Sequence, residues 1–158
     1  MKTATRETVR IIEYDNKYRE AFRAINLEWL EKYDLTEPED LRVLDDPTGE
    51  IIDRGGYVWL AISSDEIVGT AALLKAEESI FELAKMAVVP SFRGVGVGTL
   101  LLEACLQKAS EVQCRKVVLY SNHRLKTALK MYEAYGFSYV ALKNSPFKTA
   151  DIMMERVC

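Results

Sequence analysis

The 158-residue sequence contains one histidine, three cysteines and no long apolar run, and each scarcity removes a class of protein. With His123 alone there can be no multi-histidine metal centre, and no metal is expected. Cys105, Cys114 and Cys158 are odd in number and lack the close C-x-x-C spacing of zinc and redox sites; Cys105 falls in a helical apolar pattern and reads as core. No apolar stretch reaches the roughly 18 residues of a membrane span, and the opening "MKTATRETVR" has no signal-peptide core. A cytoplasmic protein with no membrane partner is therefore expected. Eight glycines, four prolines and 28% charged residues argue against a fibrous repeat or a disordered chain. An excess of basic charge is missing too. The net charge is −3 and the basic residues are not interleaved with aromatics, so no nucleic-acid partner is expected.

What is present is an ordinary core: 49% hydrophobic residues, enough for one compact domain over 1–158, with residues 1–7 as a flexible arm. Charge is unevenly spread. Glu28–Asp53 holds ten acidic against two basic residues, and Lys85–Lys130 holds eight basic against two acidic. Such a chain can hold an anion in one place and a cation in another. "TVRIIEY" predicts a strand over Thr8–Tyr14. "DNKYREAFRAINLEWLEKY" places Tyr18, Phe22, Ile25, Trp29 and Leu30 at helical spacing behind Asp15 as N-cap. A second helix is signalled by Thr36 and Glu39, spaced as a capping box, and is ended by "DDPTG". "GGYVWLAIS", "EIVGTAALLKA" and "SIFELAKMAVV" read as an antiparallel meander stopped by Pro90. A helix to about Val112, a buried strand "RKVVLYS", a helix "LKTALKMYEAYG" with Gly136 as C′ residue, and strands "FSYVALK" and "ADIMMERV" complete the order β-α-α-β-β-β-α-β-α-β-β. The fold class is α/β (α+β): a mixed, mostly antiparallel sheet flanked by helices, with a right-handed parallel crossover in its middle.

The segment "VVPSFRGVGVGTLLLEA" asks why a chain needs Gly94, Gly96 and Gly98 between a strand and a helix. Glycine admits a ligand close to main-chain N–H groups, and a helix N-terminus adds unpaired donors and partial positive charge. Together they make an anion site suited to phosphate. The spacing is not the dinucleotide G-x-G-x-x-G, and Gly98 is followed by Thr99 with no P-loop lysine.

"AVVPSFRGVGVGTLLLEA" resembles the acetyl-CoA signature R/Q-x-x-G-x-G/A of the GNAT superfamily of N-acetyltransferases, with Arg93, Gly96 and Gly98 in the defining places. "LKMYEAYGF" resembles the same family's C-terminal motif through Tyr132, Gly136 and Phe137. The likeness covers Tyr57–Tyr139 and agrees with the element order. It implies acetyl transfer from acetyl-CoA to a primary amine of a small molecule. Other readings are a protein or peptide acetyltransferase, a non-catalytic acyl-CoA-binding module, or a nucleotide-binding regulator. A homodimer, common among such small domains, is compatible with the resemblance.

The resemblance also implies a site. Arg93, Gly94, Val95, Gly96, Val97, Gly98 and Thr99 would hold the pyrophosphate, and Met86, Ala87 and Val88 the pantetheine arm as a pseudo-strand. The Val88 N–H would face the thioester oxygen. Tyr132, protonated at neutral pH, is the candidate acid for the thiolate, whereas Tyr135, three residues on, points elsewhere on the helix. Asn122 either touches pantetheine or caps a helix. Glu82 is the candidate base: it lies six residues before Val88, and period two puts both side chains on one sheet face. As a base it would need burial to raise its pKa toward neutrality; the competing readings are that it only binds the cationic substrate or pairs with a lysine at the surface. The acceptor walls would be Glu28, Trp29, Glu31, Tyr33 and Asp34 on one side. Phe147, Lys148 and Asp151 would stand opposite, Lys148 able to meet a carboxylate.

Overall fold

The apolar runs form seven strands: β1 (Arg10–Glu13), β2 (Tyr57–Ser63), β3 (Glu66–Glu77), β4 (Ile80–Val88), β5 (Lys116–Ser121), β6 (Ser138–Val140) and β7 (Ile152–Val157). Among the described residues four α-helices join them: α1 (Arg19–Lys32), α2 (Pro38–Asp45), α3 (Val97–Glu111) and α4 (Lys126–Ala134). This computed structural model describes residues 8–158; the arm expected over 1–7 lies outside the described residues. The strands make one sheet in the order β1-β2-β3-β4-β5-β7-β6. Every pairing is antiparallel except β4 with β5, the expected parallel crossover through α3.

Each face of the sheet buries its own core. On one face Leu101, Leu102 and Cys105 of α3 and Leu129 of α4 pack against Trp59, Leu73 and Phe81. On the other, Phe22 of α1 and Val43 and Leu44 of α2 pack against Val58, Leu60 and Ala72. Covered on both sides, β2 is buried at six consecutive positions, which is why it reads as a continuous apolar run.

Local signals are displaced in four places. Asp15 caps a short 3-10 turn over Asn16–Tyr18, through its carboxylate and the Lys17 N–H at 2.9 Å, and α1 starts only at Arg19. The capping box of α2 is Glu37 with Asp40, not Thr36 with Glu39. A carboxylate one residue later fills the same role as the hydroxyl, ahead of Pro38 at the first helical position. The "FSYVALK" strand is confined to Ser138–Val140. Finally, Cys114 and Cys158 pair as a disulfide across 44 residues, leaving Cys105 as the free, buried thiol.

Candidate acyl-transfer site

The pairing of β4 with β5 covers only Ile80↔Lys116, Phe81↔Val117 and Glu82↔Val118. Beyond Glu82 the two strands part, and β5 continues against β7 alone. A bulge in β4 accompanies the parting. Thr70 and Ala72 of β3, two residues apart, face Ala87 and Ala84, three apart, and Lys85 takes the left-handed backbone at φ 54°. An inserted residue bends a strand and resets its alternation.

That reset corrects the expected geometry of Glu82 and Val88. With the bulge between them, Glu82 shares the α1/α2 face with Ala84 and Ala87, whereas Val88 pairs with Gly69 and packs toward the α3 core. Both still line one cavity of about 770 Å³, because it passes through the sheet where β4 and β5 separate. The Val89 N–H donates to Val68 on β3 at 2.9 Å. Alternation then turns the Val88 N–H and carbonyl toward the opened edge, where the Arg93 Nε–H donates to the Val88 carbonyl at 2.9 Å.

On the α3 face, Val89 leads into a 3-10 turn at Pro90–Phe92 and then into the glycines. Gly94 and Gly96 have φ 80° and 92°, and Gly96 is the N-cap of α3. A side chain there would be strained, so the sequence supplies none. A Cβ on Gly94 would meet nothing within 4 Å, so the turn keeps open space in front of it. The Leu100 N–H is bonded to the Gly96 carbonyl, which leaves the N–H groups of Val97, Gly98 and Thr99 without an intrahelical acceptor. Arg93, Gly94, Gly96, Val97, Gly98 and Thr99 line the cavity. Val95 instead packs its side chain against the core. Open donors, the helix N-terminus and a guanidinium are a donor set that suits a pyrophosphate, and the opened edge at Met86–Val88 suits an amide-bearing arm.

Tyr132 projects from α4 into the same cavity, its hydroxyl 3.8 Å from Met86 Sδ and its ring 5.8 Å from that of Phe137. Burial pushes its phenol further above its ordinary value, so it stays protonated. Tyr135 turns away and donates to Glu103 at 3.1 Å. Glu82 stands on the opposite face. Burial raises its carboxyl to about 7; Lys85 opposes the shift, and Glu39 and Asp40 add to it. Tyr120, two residues along β5 from Val118, lines the cavity as well.

The acceptor walls differ in part from expectation. Trp29, Tyr33 and Phe147 line the cavity. Glu31 is exposed outside it, and Asp151, also exposed, is bound to the His123 ring and backbone N–H. Lys148 is exposed and donates its backbone N–H to Glu37 at 2.8 Å. Asp34 is exposed, and Glu28 pairs with Arg93, whose guanidinium lies 5.3 Å over the Trp29 ring. Asn122 lines the cavity but does not cap α4, whose N-cap is Leu125. Its amide donates to the Thr149 carbonyl at 2.9 Å and accepts from the Arg124 N–H at 3.0 Å.

Three features escape sequence reasoning. Lys85 and Asp40 form a buried ion pair at 2.5 Å in the cavity wall. Asn26 donates to Thr70 Oγ1 at 3.0 Å, and Thr70 donates to the Lys85 carbonyl at 2.7 Å. Glu37 accepts from the N–H groups of Lys148 and Thr149 and from the Thr149 hydroxyl, fastening the 141–151 loop to α2. All join residues remote in sequence, and the nearest local signal is a polar residue within an apolar strand. Among the described residues, no group of three or more His, Cys, Asp or Glu could hold a metal ion, and no helix is long and apolar enough to cross a membrane.

The profile of the acetyltransferase (GNAT) family matches residues 18–137. An uncharacterised N-acetyltransferase of Escherichia coli, YjgM, is 29% identical over 116 residues, 69% of this chain and 70% of that protein. N-acetylaspartate synthetase of Xenopus tropicalis is 30% identical over 89 residues, 56% of this chain but only 33% of the synthetase. Among solved structures, a GNAT-family acetyltransferase of Staphylococcus aureus Mu50 superposes with a TM-score of 0.85 at 23% identity, over 94% of this chain and 98% of that one. The PaiA N-acetyltransferase of Thermoplasma acidophilum, solved with coenzyme A, superposes with a TM-score of 0.74 at 14% identity, over 95% and 99% of the two chains.

Proposed function

The chain belongs to the acetyltransferase (GNAT) family, and from that premise we propose that it transfers the acetyl group of acetyl-CoA to the primary amine of a small molecule by direct attack. Acetyl-CoA supplies an acetyl group activated as a thioester and a thiolate leaving group. The N–H groups at the start of α3 and the Arg93–Thr99 turn hold its pyrophosphate, and the edge of β4 at Met86–Val88 holds its arm. Glu82 accepts the proton of the acceptor ammonium, freeing the nitrogen lone pair for attack. The Val88 N–H stabilises the oxygen on which charge grows; Tyr132 gives its proton to the departing sulfur, and the second proton of the attacking nitrogen restores the phenol.

One observation carries this reading: Glu82 and Tyr132 reach the same gap from opposite faces of the sheet. A carboxyl at about 7 is poised to exchange a proton near neutrality, and a phenol held above its ordinary value remains a donor. A pure binding module would need neither. The acceptor end supports a small molecule over a protein segment, because Glu37 fastens the 141–151 loop to α2 and Arg124 bonds the Tyr33 carbonyl at 3.0 Å.

Thermal melts with acetyl-CoA, coenzyme A and ATP test the reading. A ligand at 100 times its dissociation constant adds about 2.7 kcal/mol, a rise of about 5–10 °C for a domain of this size. The coenzymes should produce that rise and ATP should not; a screen of amines by thiol release then follows. No shift with either coenzyme refutes the proposal.

A further inference from the structure

The walls of the acceptor half discriminate among amines. They carry two carboxyls, Glu82 and Asp40. Asp40 is engaged at both oxygens: Oδ1 accepts from Lys85 Nζ at 2.5 Å and Oδ2 from the Glu37 N–H at 2.9 Å. Once Glu82 has met the reacting amine, a second ammonium on the acceptor would find no uncommitted acid in these walls. A negative group fares differently. Lys85 stands three residues after Glu82, lines the cavity, and has a side chain only 6% exposed. Its ammonium lies 5.2 Å from the centre of the Phe147 ring. An ammonium carries three donors, and Asp40 takes one.

The placement of Lys85 is enforced. Its backbone is left-handed at φ 54°, a strain that persists only where the surroundings impose it. Here the Asn26–Thr70 chain grips its carbonyl and Asp40 grips its side chain. Stability gives little reason for such an arrangement, since a buried ion pair is often no better than well-packed apolar residues. A lysine held rigidly in the wall of a substrate cavity has a clearer use in recognition.

We propose that Lys85 is a specificity-determining residue for an acceptor that carries a carboxylate as well as its primary amine, an amino acid. The amine goes to Glu82, the carboxylate to Lys85, and the apolar remainder lies against Trp29, Tyr33 and Phe147. This rests on the transferase reading above and narrows its acceptor. It also gives Lys85 the role that the sequence suggested for Lys148, which lies exposed outside the cavity.

The test is acetyl-CoA-dependent thiol release with each proteinogenic amino acid and its decarboxylated amine, phenylalanine with 2-phenylethylamine for instance, together with a diamine. Both the wild type and Lys85→Gln are measured. A charge-assisted hydrogen bond corresponds to a factor of about 10–100. In the wild type, the acid-bearing member of the best pair should exceed its partner in kcat/KM by that factor. In Lys85→Gln the ratio should fall to about one. The ratio within a pair cancels any effect of the substitution on stability or on Glu82, because both members feel it alike. A wild type that prefers the decarboxylated amine or the diamine overturns the proposal, as does an unchanged ratio in Lys85→Gln. So does the absence of transfer to every acid-bearing amine while acetyl-CoA still raises the melting temperature, which leaves the transferase reading standing. Failure of acetyl-CoA to bind strikes that reading itself.

Discussion

Burial acts on Glu82 and Tyr132 in one direction and suits them to opposite tasks. Withdrawal from water disfavours the charged form of any acid. For a phenol, already protonated at neutral pH, this secures the donor; for a carboxyl it brings proton exchange to about 7. Tyr132→Phe should keep the ring packed on Phe137 and lower kcat about 100-fold or more, with coenzyme affinity little changed; steady-state kinetics beside a coenzyme titration separate the two. Glu82 also leaves a mark on stability. Its folded pKa of about 7 lies above the ordinary 4.5, so the folded chain binds the extra proton between those values and stability falls as pH rises through that window. Glu82→Gln mimics the neutral acid. It should melt with the wild type at pH 4 and above it at pH 8, while losing most of the activity whose kcat/KM rises near pH 7 in the wild type. Equal melting temperatures at pH 8 would show that Glu82 is not destabilised by its surroundings.

At the scale of the element, strand β4 sets the site, and it divides what sequence can reveal from what it cannot. The element order, the parallel β4–α3–β5 unit and the glycine turn were legible because each is written in local periodicity or in residues that few other conformations require. The bulge was not. Lys85 is neither glycine nor asparagine, and nothing nearby announces a left-handed residue, so period two carried Val88 to the wrong face of the sheet. The Lys85–Asp40 pair spans 45 residues and the Cys114–Cys158 link 44; contacts of that reach are products of the fold. Gly69 is a further case, since its lack of a side chain matters only once α3 lies on β3. A Cβ there would stand 2.9 Å from Leu101 Cδ1, 3.2 Å from Val97 Cγ1 and 3.3 Å from the Ala87 carbonyl. Gly69→Ala should therefore push α3 off the sheet and cost about 1–3 kcal/mol in urea unfolding. A smaller loss would mean that the helix shifts freely, with the turn it begins from.

For the whole molecule, the gap between β4 and β5 opens the cavity without dividing the core, since Leu119 of β5 and Leu129 and Tyr132 of α4 share one apolar cluster with Leu73 and Phe81. The parallel ladder is three residues long, and polar ties also link the two sides: Arg124 to the Tyr33 carbonyl, and Glu37 to Lys148 and Thr149. Of these, Glu37 joins most. It caps α2, and its three bonds draw the loop carrying Phe147 over the acceptor end. Burial works against its charge, but the Thr149 and Lys148 donors outweigh that and hold its pKa below the ordinary value; the tie is therefore intact at neutral pH. Glu37→Ala should cost about 1–2 kcal/mol through the lost cap and release the loop. The half proposed to hold the coenzyme, built on the α3 face, does not depend on that tie. Acceptor KM should therefore rise about tenfold with coenzyme affinity unchanged, and the backbone N–H groups of Lys148 and Thr149 should exchange with solvent faster than in the wild type. Faster exchange with an unchanged KM would show that the 141–151 loop covers the acceptor end without shaping it. Protected N–H groups would show that the loop is held from its other end, by Asn122 on the Thr149 carbonyl and His123 on Asp151.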